Sequence, residues 1–164
     1  MKKEKIKNTI LIIMSWFLVI IWMILIFSMS NMNSDESSSV SKGLISNTIE
    51  TSYEIGNKVG IISTMPSDSE INNLVLKLHT PVRKLAHFIE YLILGLLVCN
   101  ALKVSGVDNK IILYSILICV LYSSIDELHQ IFINGRAGRV TDILIDAFGS
   151  IIGILSYKKL IKMR

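Results

Sequence analysis

Three stretches of this chain gather side chains that can move protons, hold anions or bind metals. The first is Arg83-Lys84-Leu85-Ala86-His87-Phe88-Ile89-Glu90-Tyr91. Residues three or four apart share a helical face, so Arg83, His87 and Glu90 form one stripe, with Tyr91 one position round. The second is Asp126-Glu127-Leu128-His129-Gln130, in which Asp126, His129 and Gln130 share a face. The third runs from Arg136 and Arg139 to Asp142 and Asp146, again at spacings of three and four. Histidine beside a carboxylate suits general acid–base work, with His129 and His87 as base and acid and Asp126 or Glu90 orienting the rings. A divalent metal is a second use of the same groups, since histidine with carboxylates ligates zinc or manganese. No dedicated zinc signature is present, however, and no other cofactor is implied. The turn Asn134-Gly135-Arg136-Ala137-Gly138-Arg139 combines guanidinium forks with glycines that free backbone N–H groups, a combination suited to phosphate or carboxylate. A helix N-terminus directly after it would add its dipole.

The elements that must position these groups are membrane spans. Of 164 residues, 51% are hydrophobic and only 18% charged, against about a quarter charged in ordinary soluble domains. The mean hydropathy is +0.56. A soluble globular enzyme, a disordered chain and a disulfide scaffold are all excluded on these grounds. Cys99 and Cys119 lie inside apolar runs and read as buried thiols. Crossing a bilayer core of about 30 Å takes roughly 20 apolar helical residues. The chain offers four such runs, about 10–28, 85–103, 111–132 and 140–157. The last three carry polar residues clustered at a single end. The expected fold is therefore an all-α bundle of four transmembrane helices forming a single domain over residues 1–164.

Lys2, Lys3, Lys5 and Lys7, then Lys103 and Lys110, then Lys158, Lys159, Lys162 and Arg164 flank the spans on one side. The positive-inside bias makes that side, with both termini, cytoplasmic. The net charge of +4 marks this sidedness rather than a nucleic-acid partner. A cleaved signal peptide ending near Ser28 or Ser30 is the competing reading of the first run, but that run exceeds the usual apolar core of about 7–15 residues. Residues 29–82 then form an outer loop. Its serine-rich start, Ser30 to Ser39, reads as solvated coil. Within it, Ser67 and Glu70 have capping-box spacing, and Ile71, Leu74, Val75 and Leu78 recur at helical intervals. These predict a short amphipathic helix near 68–80, stopped by Pro81.

With this topology all three polar stripes fall in the outer half of the bilayer. Arg83, Lys84, His87, Glu90, Asp126, Glu127, His129, Arg136, Arg139, Asp142 and Asp146 belong to one layer, while the inner halves of those spans carry no formal charge. Inserting an ionisable group costs on the order of 3 kcal/mol at a helix centre, so such groups persist when they face one another or a wet cavity. Four cations against five carboxylates leave a formal −1, which allows a self-contained ion-pair network that merely locks the bundle. An apolar seam would pack the helices without the insertion cost, which favours a functional layer. Gly149-x-x-x-Gly153 reads as close helix packing.

These motifs, in this order, resemble the VanZ-like family of small bacterial membrane proteins. The likeness rests on Arg83-Lys84-x-Ala86-His87-Phe88-x-Glu90-Tyr91-x-x-Leu94-Gly95, on Asp126-Glu127-x-His129-Gln130-x-Phe132, and on Arg136-x-Gly138-Arg139-x-x-Asp142-x-x-x-Asp146-x-x-Gly149. Phe27-Ser28-x-Ser30 resembles the family's first-span exit, and residues 43–80 carry no matching motif. The family is named for a protein of a glycopeptide-resistance cluster associated with teicoplanin resistance, so the resemblance implies cell-envelope work. The leading expectation is a pocket binding an anionic headgroup of a membrane lipid or lipid-linked cell-wall precursor. Arg83, Lys84, Arg136 and Arg139 would hold the anion, His87, Glu90, Asp126 and His129 would position it, and Tyr91, Glu127, Gln130, Asp142 and Asp146 would complete the ligand-binding set. A hydrolase or transferase using His87, Glu90, Asp126 and His129 as catalytic groups is the alternative. Proton-coupled transport is a third, for which Asn100 is the one polar residue toward the inner side of the second span.

Overall fold

The computed structural model describes residues 2–61 and 66–162, in five helices. They are α1 (Lys2–Ser30), α2 (Ser34–Lys58), α3 (Asp68–Val104), α4 (Ile111–Gln130) and α5 (Val140–Lys162). Four of them, α1, α3, α4 and α5, are long and apolar enough to cross a membrane, so the chain is a multi-pass membrane protein. Arg164, expected among the cytoplasmic cations, lies outside the described residues.

Helix α3 is the central post and touches every other helix. It supplies Tyr91, Leu94, Val98, Ala101 and Leu102 to a core completed by Val19 and Ile26 of α1 and Cys119 of α4. Cys99 and Cys119 are both buried free thiols. Cross-links between helices fix their directions. At one end, Asn100 donates to Ser15 Oγ (3.3 Å) and accepts from Tyr157 (2.9 Å), and Trp16 Nε1 donates to Ser105 (3.1 Å). At the other, Trp22 Nε1 donates to the Glu90 carbonyl (2.9 Å) and Tyr122 to that of Met23 (2.5 Å). Helix α1 thus runs antiparallel to α3, α5 parallel to it, and the start of α1 and the end of α5 share one end of the bundle. Asn100 is held from both sides as a packed amide rather than left as a step in a polar path.

The α3–α5 seam is the closest in the molecule. A Cβ on Gly149 would strike the Phe88 carbonyl, one on Gly153 the Leu92 carbonyl, and one on Gly95 the Ser150 carbonyl. Small residues let the backbones meet directly, where dispersion contacts replace the hydrophobic drive that lipid does not supply.

Two expectations for residues 29–82 are corrected. The serine-rich stretch is helical, not coil: α2 starts at a capping box in which the Asn33 side chain accepts from Glu36 N–H (2.8 Å) and the Glu36 carboxylate accepts from Asn33 N–H (3.1 Å). Serines bond back to the preceding turn, as Ser41 does to the Ser37 carbonyl (2.8 Å), and Ser41 and Ile45 are buried. The composition hid a one-sided apolar stripe that folds because α3 offers it a surface. The second correction concerns Pro81, which does not end a short helix near 68–80. It lies inside α3, which continues unbroken from Asp68 to Val104. The proline removes the N–H that would reach the Lys77 carbonyl, at a cost of about 3 kcal/mol in a helix interior. Packing on both sides of it carries the helix through: Val75 is buried, α2 packs on α3 with Leu44, Ile45 and Ile49 across a shared cavity from Leu78 and Val82, and the span beyond is clamped to α5. At 37 residues α3 is roughly 55 Å long, well beyond a bilayer core of about 30 Å, so its first turns and α2 form a hairpin beyond the span.

Gly153→Ala is expected to lower stability by about 1–3 kcal/mol through overpacking against Leu92, seen as a lower thermal unfolding midpoint in detergent. Gly43→Ala, whose Cβ would meet nothing within 4 Å, should leave the midpoint unchanged or raise it.

Candidate functional site

The polar stripes converge at the end of the bundle formed by the last turn of α1, the N-terminus of α2, the middle of α3, the end of α4 and the start of α5. The seam places Gly149 on Phe88, and one turn earlier this sets Asp146 against His87. His87 Nδ1 faces Asp146 Oδ1 at 4.0 Å and Glu90 Oε2 at 3.8 Å. The second oxygen of Asp146 accepts a 2.6 Å hydrogen bond from Ser123 of α4. Asp126 and Asp146 are 1% and 0% exposed, and Tyr91 0%. Side chains from three helices are therefore gathered at one depth.

A closed ion-pair network is not what holds them. Among the described residues the side chains of Arg83, Lys84, Arg136 and Arg139 form no salt bridge with any carboxylate. Among the described residues the buried side-chain atoms without a hydrogen-bond partner all lie in this layer: Ser30 Oγ, His87 Nδ1, Tyr91 OH, Asp126 Oδ1, Glu127 Oε1, Arg136 Nε and Asp146 Oδ1. A buried polar atom left without a partner costs about 1–3 kcal/mol, so each of these calls for one from water or a bound group.

Two cavities open here. One, of about 100 Å³, has apolar walls from Met29, Met32, Val40, Leu44, Val82 and Ala86, with Arg83, His87, Glu90 and Arg136. The other, also of about 100 Å³, is lined by Ser34, Gln130, Gly135, Ala137, Arg139 and Asp142, together with Arg83, His87 and Arg136. Arg83, His87 and Arg136 thus form the wall common to both.

Other expected site residues stand elsewhere. Lys84 lines neither cavity. Tyr91, Asp126 and Asp146 sit behind the cavity walls in the buried layer. Gln130 Nε2 donates to Asp126 Oδ2 (3.4 Å). His129 turns toward α1, stacking on Phe27 at 4.6 Å between ring centroids, with Nε2 3.3 Å from Asn31 Oδ1. His87 and His129 are therefore not brought to one point as an acid–base pair. The glycine–arginine turn also differs from the expected N–H cradle. Gly135 supplies a left-handed φ of 73°, but Arg136 N–H goes to the Ile133 carbonyl (3.1 Å) and Arg139 N–H to Glu127 Oε2 (2.8 Å). Glu127 thus caps the start of α5 from α4, the favourable place for a negative charge, and Gly138 lets the turn lie directly on the Glu127 carbonyl. The arginine side chains line the cavities instead. Among the described residues no three His, Cys, Asp or Glu side chains are grouped to hold a metal ion.

Sequence reasoning missed Ser123 and the apolar wall. Ser123 was within reach of it, being three residues before Asp126 on the same face and four after Cys119. The wall was not, because Val40 and Leu44 follow the serine-rich stretch in a part of the outer loop where no helix was expected.

Ser123→Ala leaves the Asp146 carboxylate without its donor and is expected to cost about 1–3 kcal/mol. A double-mutant cycle with Asp146→Asn, followed by thermal unfolding, should show the two losses to be non-additive.

Comparison with known proteins agrees with the motif order. A family model described as VanZ/LLP1 matches residues 15–162, and the chain belongs to that family. No curated protein and no solved structure matches it.

Proposed function

We propose that this VanZ/LLP1-family chain binds the anionic headgroup of a membrane lipid or lipid-linked cell-wall precursor, from the extracytoplasmic face. One observation carries the reading. Arg83 and Arg136, without salt-bridge partners among the described residues, stand on the wall between an apolar and a polar cavity. An amphiphile needs that pair of compartments side by side: hydrocarbon against Met29, Met32, Val82 and Ala86, and phosphate or carboxylate against the guanidiniums, Arg139 included. Arginine forks hold such groups bidentately, and the N-terminus of α2, where Ser34 lines the polar cavity, adds a favourable dipole. The intramembrane charges then have a ligand to repay their insertion.

The cell-envelope role, and the teicoplanin-type resistance for which the family is named, follow from the same site if the headgroup belongs to the outer leaflet. The lysines at the opposite end, Lys103, Lys110, Lys158 and Lys159, support that orientation through the positive-inside bias.

Mass spectrometry of the purified protein should find co-purified anionic lipid, and Arg136→Ala and Arg83→Ala should each reduce it at least tenfold, while Lys84→Ala changes it little. Equal lipid in wild type and the two arginine variants would count against the pocket. A cysteine placed at Ser39 should react with a membrane-impermeant maleimide in intact cells if the polar end faces outward.

A further inference from the structure

Resting on that anion site, we propose that the same site hydrolyses a lipid diphosphate, with His87 as the base that activates the attacking water. Three arginines converge on the polar cavity, more than one phosphate requires, and phosphoryl transfer is catalysed chiefly by positioning and by cations around the spreading charge. His87 is the one histidine on the walls of these two cavities. Its Nδ1 is buried between Glu90 Oε2 at 3.8 Å and Asp146 Oδ1 at 4.0 Å. A proton on Nδ1 faces those carboxylates, which leaves the lone pair on Nε2 and stabilises the imidazolium formed when Nε2 gains a proton. Contacts of this kind shorten when substrate closes a site. Asp146 is itself held by Ser123 at 2.6 Å, so it acts as a positioning residue.

The step balances. Nε2 takes a proton from water as the water oxygen bonds to the terminal phosphorus. The bond from that phosphorus to the bridging oxygen breaks, and its electron pair leaves with the lipid monophosphate. Inorganic phosphate is the second product, and the proton on His87 passes to solvent. A phosphate leaving group departs as an anion and needs no acid. A lipid monophosphate would expel an alkoxide, and the second histidine that could protonate it, His129, is turned away onto Phe27. The apolar cavity takes the start of the chain.

The test uses the full chain in detergent with farnesyl diphosphate as probe and inorganic pyrophosphate as its chainless counterpart, reading released phosphate and, separately, retention of the labelled lipid. Wild type is expected to release phosphate from the prenyl probe at least tenfold faster than from pyrophosphate. His87→Gln should lose about 100-fold or more of the rate while still retaining the lipid, which also shows that the variant is folded. Asp146→Asn should lower kcat with KM unchanged. Wild type that retains the lipid but releases no phosphate overturns the hydrolysis and leaves the binding reading standing; failure to retain it overturns both. Undiminished release by His87→Gln removes His87 as the base, and equal rates on both probes remove the lipid as the substrate class.

Discussion

The direct backbone contact between α3 and α5 is the constraint on which the polar layer depends. Gly149 against the Phe88 carbonyl and Gly153 against that of Leu92 fix both the spacing and the register of the two helices. A register change of one residue would rotate Asp146 by about 100° around its helix, away from His87. Ser123 then ties α4 to the same carboxylate. The apolar packing lower in the bundle thus decides the geometry of charges higher up. Among the described residues the arginines add little to this scaffold, since they form no salt bridges with the acids.

The layer's chemistry follows from what is missing inside it. Acids and cations share one depth, yet their closest approaches are a histidine to two carboxylates and a backbone N–H to a third. An interior that closed on itself would have brought guanidinium and carboxylate together. This one keeps its guanidiniums on cavity walls and its acids mostly behind them, so that the cations border open space while two of the carboxylates face His87.

Much of this was legible in the sequence because membranes simplify the code. Long apolar runs can only be helices there, so the spans, their polar ends and the convergence of three stripes could be read from spacing alone. The Gly149-x-x-x-Gly153 seam was equally plain. What escaped was tertiary in origin. The serine-rich start of α2 has too little apolar character to predict a helix, and only the partner surface on α3 makes its stripe of Ser41 and Ile45 worth burying. Pro81 reads locally as a stop, and packing to either side overrides it. The direction of His129 toward Asn31 and of Glu127 toward Arg139 depends on rotamers and on where the turn folds back, which helical spacing does not encode.

The unbroken run of α3 through Pro81 has a mechanical side. The hairpin with α2 and the wall bearing Arg83 and His87 are parts of one rod, and Pro81 lies two residues before Arg83. With one rung of the backbone ladder missing at Lys77, bending stiffness is lowest there. That joint stands between the hairpin, which contributes Val40 and Leu44 to the apolar cavity, and the part of α3 that the glycine seam holds against α5.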